Sequence, residues 1–192
     1  VIIQKSNVSD GKEISRKEYK DLPDKTELQD IVQVGTKLYF IYTVAKKGDL
    51  FDVCSREVDM TKASFDAPKT LFTTKGDISR TAPTEIIGFW GMQKGPFLTV
   101  VHSFDDSKNK DILGFYVFDN SMNKIWGDEV TMPHTEKEMN NLAYSVTKDG
   151  TAHMLAYLNE SKSFELINIT APATLTNKKI ELGGTVMFQK FD

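Results

Sequence analysis

An all-β fold of repeated four-stranded units, β-propeller-like, is predicted by three features of this 192-residue chain. Apolar residues recur with period two or in short continuous runs, and helical periodicity is almost absent. Turn-forming residues punctuate those runs at short intervals. The pattern also repeats: Gly35 and Gly95 stand 60 residues apart, Gly95 and Gly150 55 apart, and each precedes a similar run. A period of that size with four strands per unit is the signature of a propeller blade, somewhat longer than the named repeats. The expectation is about three four-stranded blades plus partial blades at both ends. A two-sheet β-sandwich with similar hairpins is the alternative.

The elements follow in order. Val1 to Ile3 begin a strand, Asn7 to Gly11 turn, and Lys12 to Leu22 form a charged strand that stops before Pro23. The first unit, about residues 30–73, has strands at Asp30–Val34, Leu38–Val44, Leu50–Val58 and Lys69–Thr73, with a hairpin turn at Lys46–Asp49. The second, about 85–133, has strands at Glu85–Trp90, Phe97–Phe104, Leu113–Asp119 and Asp128–Met132. One short helix is expected at His134–Asn141. The third unit, about 141–183, has strands from Met139 or Asn141 to Val146, then at His153–Leu158, Ser163–Ile169 and Lys178–Leu182. Thr185–Phe191 reads as the first strand of a further unit.

Aligned on the glycines, the units share rows: Phe40, Val100 and Leu155; Ile41, Val101 and Ala156; Tyr42, His102 and Tyr157. The third strands align at Phe51, Phe115 and Phe164. Middle strands apolar on both sides suit a sheet with both faces covered by neighbours. The chain opens on two strands of one unit and closes on one strand of another, which reads as part of a longer propeller or one completed by another chain. Open blades would expose edges and apolar faces, so a homo-oligomer is a further expectation.

Composition narrows the function. A net charge of -3 and interleaved Lys and Glu give no basic stripe for nucleic acid. No apolar run reaches the roughly 18 residues of a membrane helix. The single cysteine, Cys54, has no partner for a disulfide or a CxxC motif and reads as a small core residue. The first residue is Val1 and not Met, which fits removal of a targeting segment.

Candidate sites are few, and no nucleotide-loop, zincin or nucleophile-elbow motif occurs. Tyr42, His102 and Tyr157 share one row and could line a rim with polar-tipped rings, although capping the core with a polar tip is the simpler reading. Trp90, near the end of a first strand, is a candidate stacking surface for a sugar or peptide. Asp105, Ser107, Asn109 and Asp111 place oxygens at alternate positions, as calcium loops begin. The sixth position is Lys110 and the twelfth Tyr116, so the loop departs from that pattern. His134 and His153 have no evident co-ligands. No cofactor is expected. Asn7-Val8-Ser9, Asn159-Glu160-Ser161 and Asn168-Ile169-Thr170 are glycosylation sequons.

Phe118-Asp119-Asn120, Lys124-Ile125-Trp126, Met132-Pro133 and Lys148-Asp149-Gly150 together resemble the blade pattern of uncharacterised, exported β-propeller-like proteins of the Bacteroidota type. The first unit lacks the Trp and the Met-Pro pair. The resemblance implies a periplasmic, surface or secreted location and carries no functional residues. The resulting expectation is a non-enzymatic binding module that contacts a protein, peptide or glycan. The alternative is a hydrolytic or other enzyme with its site on a blade rim or in a further part of a longer chain.

Overall fold

Antiparallel pairing, mostly of strands adjacent in sequence, builds the sheets of the described residues. The computed structural model describes residues 1–48, 50–75, 85–91, 96–103, 110–172 and 174–180, with the backbone alone at 75, 85–91 and 101–103. It is all-β, with several antiparallel sheets, none closed, and no helix among the described residues. The chain divides into two compact units, Val1–Lys75 and Gly76–Asp192.

In unit 1, β1 (Ile2–Ser6) pairs with β2 (Glu13–Glu18) as a two-stranded sheet. β3 (Thr26–Val34), β4 (Lys37–Ala45) and β5 (Leu50–Asp59) form a meander. Its outer strand is split. β6 (Ser64–Phe65) pairs with the end of β5, and β7 (Lys69–Lys75) with its beginning. Gly35 turns β3 into β4 at a φ of 61°, a conformation that costs glycine little.

Polar bonds hold the β1–β2 hairpin to the larger sheet. Arg56, only 4% exposed in its side chain, places Nη2 2.7 Å from Asp21 and its guanidinium 6.0 Å from the Phe65 ring centre. The Phe65 amide donates to the Tyr19 hydroxyl oxygen at 2.6 Å, and Lys5 Nζ donates to the Thr61 carbonyl at 3.2 Å. Between these bonds lies a small apolar cluster of Phe40, Tyr42 and Cys54, flanked by Leu22, Val44, Val58 and Phe65.

In unit 2 the sheets are complete. β8 (Glu85–Gly91), β9 (Phe97–Ser103), β10 (Lys110–Phe118) and β11 (Lys124–Thr135) lie side by side in chain order. β12 (Met139–Val146), β13 (Ala152–Leu158), β14 (Ser163–Thr170) and β15 (Thr174–Ile180) repeat the arrangement. One continuous core joins the two sheets: Leu98, Val100, Phe115, Val117 and Met132 from the first, Tyr144, Met154, Ala156 and Ile167 from the second. Phe115 meets Tyr144 across the gap, ring centres 6.4 Å apart. Each fully buried large apolar side chain here contributes on the order of 1.5–3 kcal/mol.

Several expectations need correction. No helix forms at His134–Asn141. Residues 134–135 end β11, 136–138 turn, and β12 begins at Met139. β11 extends past Met132 through Pro133, which an outermost strand tolerates because its unpaired side needs no amide donor. β11 also begins at Lys124, so Trp126 lies inside a strand rather than in a link. β3 starts at Thr26 and β15 at Thr174, each earlier than the apolar pattern indicates, because outer and inner strands keep pairing through polar residues. The third-strand row also fails at one member. Phe51 and Phe164 lie near their hairpin turns, opposite Ala45 and Tyr157, whereas Phe115 lies mid-strand opposite Val100. Thr185–Phe191 lies outside the described residues.

Trp126 and Gly150 meet in the fold. Trp126 Nε1 donates to the Gly150 carbonyl at 2.8 Å, linking the outer strand of one sheet to the first turn of the next. Gly150 holds a φ of 85°, and a Cβ there would meet the indole at 3.6 Å. Gly127 is similarly required, since a Cβ would stand 3.2 Å from the Tyr116 Cα and collide with its ring. The Tyr116 phenol is pushed up to about 12 by burial first, then by the Glu129 and Asp128 charges.

Candidate functional site

The chain directions in unit 2 bring the end of β9, the start of β10, the β11–β12 turn and the β13–β14 turn to one end of the two sheets. Two hydrogen-bond systems knit that end together. The Thr135 amide donates to the Glu138 carboxylate at 2.9 Å, and this bond is the largest cause holding the Glu138 carboxyl below its ordinary range. Asn159 ties the neighbouring turn in. Its amide nitrogen donates to the Lys137 carbonyl at 2.7 Å, its backbone N–H to the Glu138 carbonyl at 2.8 Å, and its Oδ1 accepts from Asn140 at 2.7 Å.

Beneath these turns the apolar core ends in a polar layer. Glu165 on β14 is 7% exposed. Its carboxylate accepts His134 Nε2–H from β11 at 2.8 Å and Asn177 Nδ2–H from β15 at 2.8 Å. The His134–Glu165 contact spans the two sheets. Asp111 is 4% exposed on β10, and its charge, after burial, is the second cause raising the Tyr144 phenol above its ordinary range. Buried carboxylates are costly unless hydrogen-bonded, so Glu165 is held in place by both of its donors. Chemically the layer offers a histidine oriented by a carboxylate, a second buried carboxylate and several amides.

The predicted residues are distributed unevenly over the fold. Tyr42 is 1% exposed in the unit 1 core, next to Cys54, so it is a packing residue and not part of a rim. The β alternation places a ring on one face but leaves open whether that face is covered, and here it is. Tyr157 is half-buried on β13, edge-on to Phe164 with ring centres 5.3 Å apart. His102 belongs to the same end of unit 2, its backbone paired with Leu113 and Glu85; its side chain lies outside the description. Trp90 pairs by backbone with Leu98 near the opposite end, and its side chain is likewise outside. Of the calcium candidates, Asp105, Ser107 and Asn109 lie outside the described residues. Asp111 is a buried strand residue and not an exposed loop oxygen. Among the described residues no group of three His, Cys, Asp or Glu side chains is placed to hold a metal.

His153 is accounted for by its Nδ1–H bond to Asn168 Oδ1 at 2.7 Å. Cys54 is buried, as expected, with Sγ 3.7 Å from Thr70 Oγ1, and burial pushes its thiol up. Glu165 is the residue that sequence reasoning missed. It lies 31 residues from His134 in a strand of ordinary alternation, so no local spacing announces the pair. No helix among the described residues is long and apolar enough to cross a membrane. No family model, curated protein or solved structure matches the chain.

Proposed function

We propose that this chain is a propeller-like, non-enzymatic binding module of the exported Bacteroidota type, and that the turn end of unit 2 contacts a protein, peptide or glycan partner. The polar layer at that end carries the reading. His134, Glu165 and Asn177 form a hydrogen-bonded set across three strands, and Asn159 joins the turns above it. Such a network keeps the surrounding turns in one arrangement before a partner arrives, which lowers the ordering cost of binding.

The stacking of the sheets supports the blade architecture. The β8–β9 and β12–β13 hairpins have connections of equal length, closing at Gly91–Phe97 and Val146–Ala152. Aligned on those closing pairs, Leu98 and Val100 are one residue out of step with Met154 and Ala156, yet all four enter one core. The core therefore takes one face of the first sheet and the opposite face of the second. Blades stacked front to back would behave this way, which supports the propeller-like reading.

The test is binding of the full chain to peptide and glycan arrays, followed by titration of each hit against Glu165→Gln and His134→Ala. Weakening of about tenfold with an unchanged circular dichroism spectrum is expected. Hits that ignore both variants would refute the site. A hydrolytic reading is favoured by one observation, the carboxylate-bonded His134. Turnover of nitrophenyl esters or glycosides that disappears in His134→Ala would establish it instead.

A further inference from the structure

In unit 1, β1 has an open edge: among the described strands it pairs with β2 alone. The ladder fixes where its backbone points. The Val1 amino group donates to the Tyr19 carbonyl at 3.1 Å, and the Tyr19 amide donates to the Val1 carbonyl at 2.7 Å. Bonded and unbonded pairs alternate in an antiparallel ladder. Ile3 and Lys17, two residues on, are therefore a bonded pair. Ile2 and Gln4, opposite Glu18 and Arg16, turn their N–H and C=O groups away from β2. Both residues are exposed.

Outer strands usually carry a charge, a proline, a bulge or extreme shortness that discourages further pairing. The other outer strands here do. β3, β7, β8 and β12 meet their neighbours through a bulge. β2 and β15 are charged, β11 holds Pro133, and β6 has only two residues. The stretch Ile2-Ile3-Gln4 has none of these features, and the irregularity of β1 falls beyond it, after Lys5.

We propose that β1 is a dimer seam, on which a second copy of this chain pairs its own β1 antiparallel about a two-fold axis at Ile3. Ile2 of each copy then lies opposite Gln4 of the other. These are the outward-facing residues, so both pairs exchange backbone bonds, and the two Ile3 residues form the unbonded pair between them. The strand is compatible with itself in charge. Its three central residues are neutral, and the two Lys5 residues stand about 13 Å apart along the seam. The exposed Ile2 side chains become diagonal neighbours across it. A two-stranded sheet is marginal alone, and this isologous contact makes it four-stranded, like both sheets of unit 2. The contact is small, so its dissociation constant should be about 10–100 μM.

The experiment is light scattering on the full chain from about 10 μM to 1 mM, a range that brackets that affinity. The mass should rise from one chain to two. Gln4→Pro removes an outward N–H and no bond to β2, so it should stay monomeric with an unchanged circular dichroism spectrum. Ile3→Cys reads the same seam covalently and covers the case in which the proline variant fails to fold. Unbonded antiparallel pairs bring their Cα atoms to about 4.5 Å, within disulfide range. With diamide as oxidant, Ile3→Cys should therefore give a disulfide-linked dimer. The parent, with only the buried Cys54, and Ile14→Cys, on the exposed β2, should not. The proposal is overturned if the parent stays monomeric to 1 mM, which would leave this edge to a strand of another kind. It is equally overturned if a well-folded Gln4→Pro dimerises like the parent, or if Ile3→Cys links no better than Ile14→Cys.

Discussion

The two units use the same antiparallel meander and hold their sheets together by different forces. In unit 2 the sheets share one continuous apolar core, sealed at one end by the His134–Glu165 contact and at the other by Trp126 on Gly150. In unit 1 the smaller sheet has two strands, the cluster of Phe40, Tyr42 and Cys54 draws its buried residues from β4 and β5 alone, and the join is made by Arg56–Asp21, Phe65–Tyr19 and Lys5–Thr61. Leu28 and Ile31, cross-strand neighbours of Tyr42 and Phe40, remain exposed there. A two-stranded sheet is marginal alone and buries little apolar area, so directional polar bonds carry a larger part of its docking. Apolar packing tolerates changes in pH and salt that such bonds do not.

That contrast can be broken most forcefully at Phe115. Phe115→Ala removes a fully buried ring from the centre of the unit 2 core and should cost about 3–5 kcal/mol. Urea denaturation would read this as a lowered midpoint. An unchanged midpoint would mean that the shared core does not dominate unit 2. A smaller effect is expected from Trp126→Phe, which keeps one aromatic ring and removes the five-membered ring that carries the N–H donated to Gly150. Loss of that bond should cost about 1 kcal/mol, and a thermal melt resolves it.

The smallest effect concerns unit 1 and acid. Asp21 has its carboxyl held below the ordinary value of 3.8, chiefly by the hydrogen bond from Arg56. A depressed carboxylate stabilises the folded state above its unfolded pKa, and the contribution is lost as pH falls through the depressed value. The hairpin should therefore loosen only below 3.8. Because Asp21 is exposed, the loss is local: amide exchange in β1 and β2 should rise relative to β10 and β13. Asp21→Asn should remove that pH dependence. Equal acceleration in all four strands would refute the polar-join account of unit 1.

Much of the strand pattern was legible. Leu38–Val44, Phe97–Phe104 as far as Ser103, where the description stops, and His153–Leu158 announce themselves because central strands are apolar on both sides. Edges were less so. Pro133 hid the end of β11, and the acidic run after it imitated a helix, since neither residue type reveals whether an outer strand still pairs. At the candidate site, the polar tip of Tyr42 looked like a rim residue and Asp111 like a loop ligand, and both are buried. Polarity at the end of a strand does not reveal the sheet that covers it.

By itself, the sequence determined that the chain is all-β and where most strands run. Those properties are local, set by side-chain alternation, turn residues and backbone φ preferences. Tertiary structure alone decided that Trp126 bonds Gly150, that Glu165 meets His134 across two sheets, and that Arg56 is buried while Asp21 is not. The physical reason is that period-two alternation assigns a residue to a face but not a partner to that face. The partner arrives from another strand, at a separation no local spacing encodes.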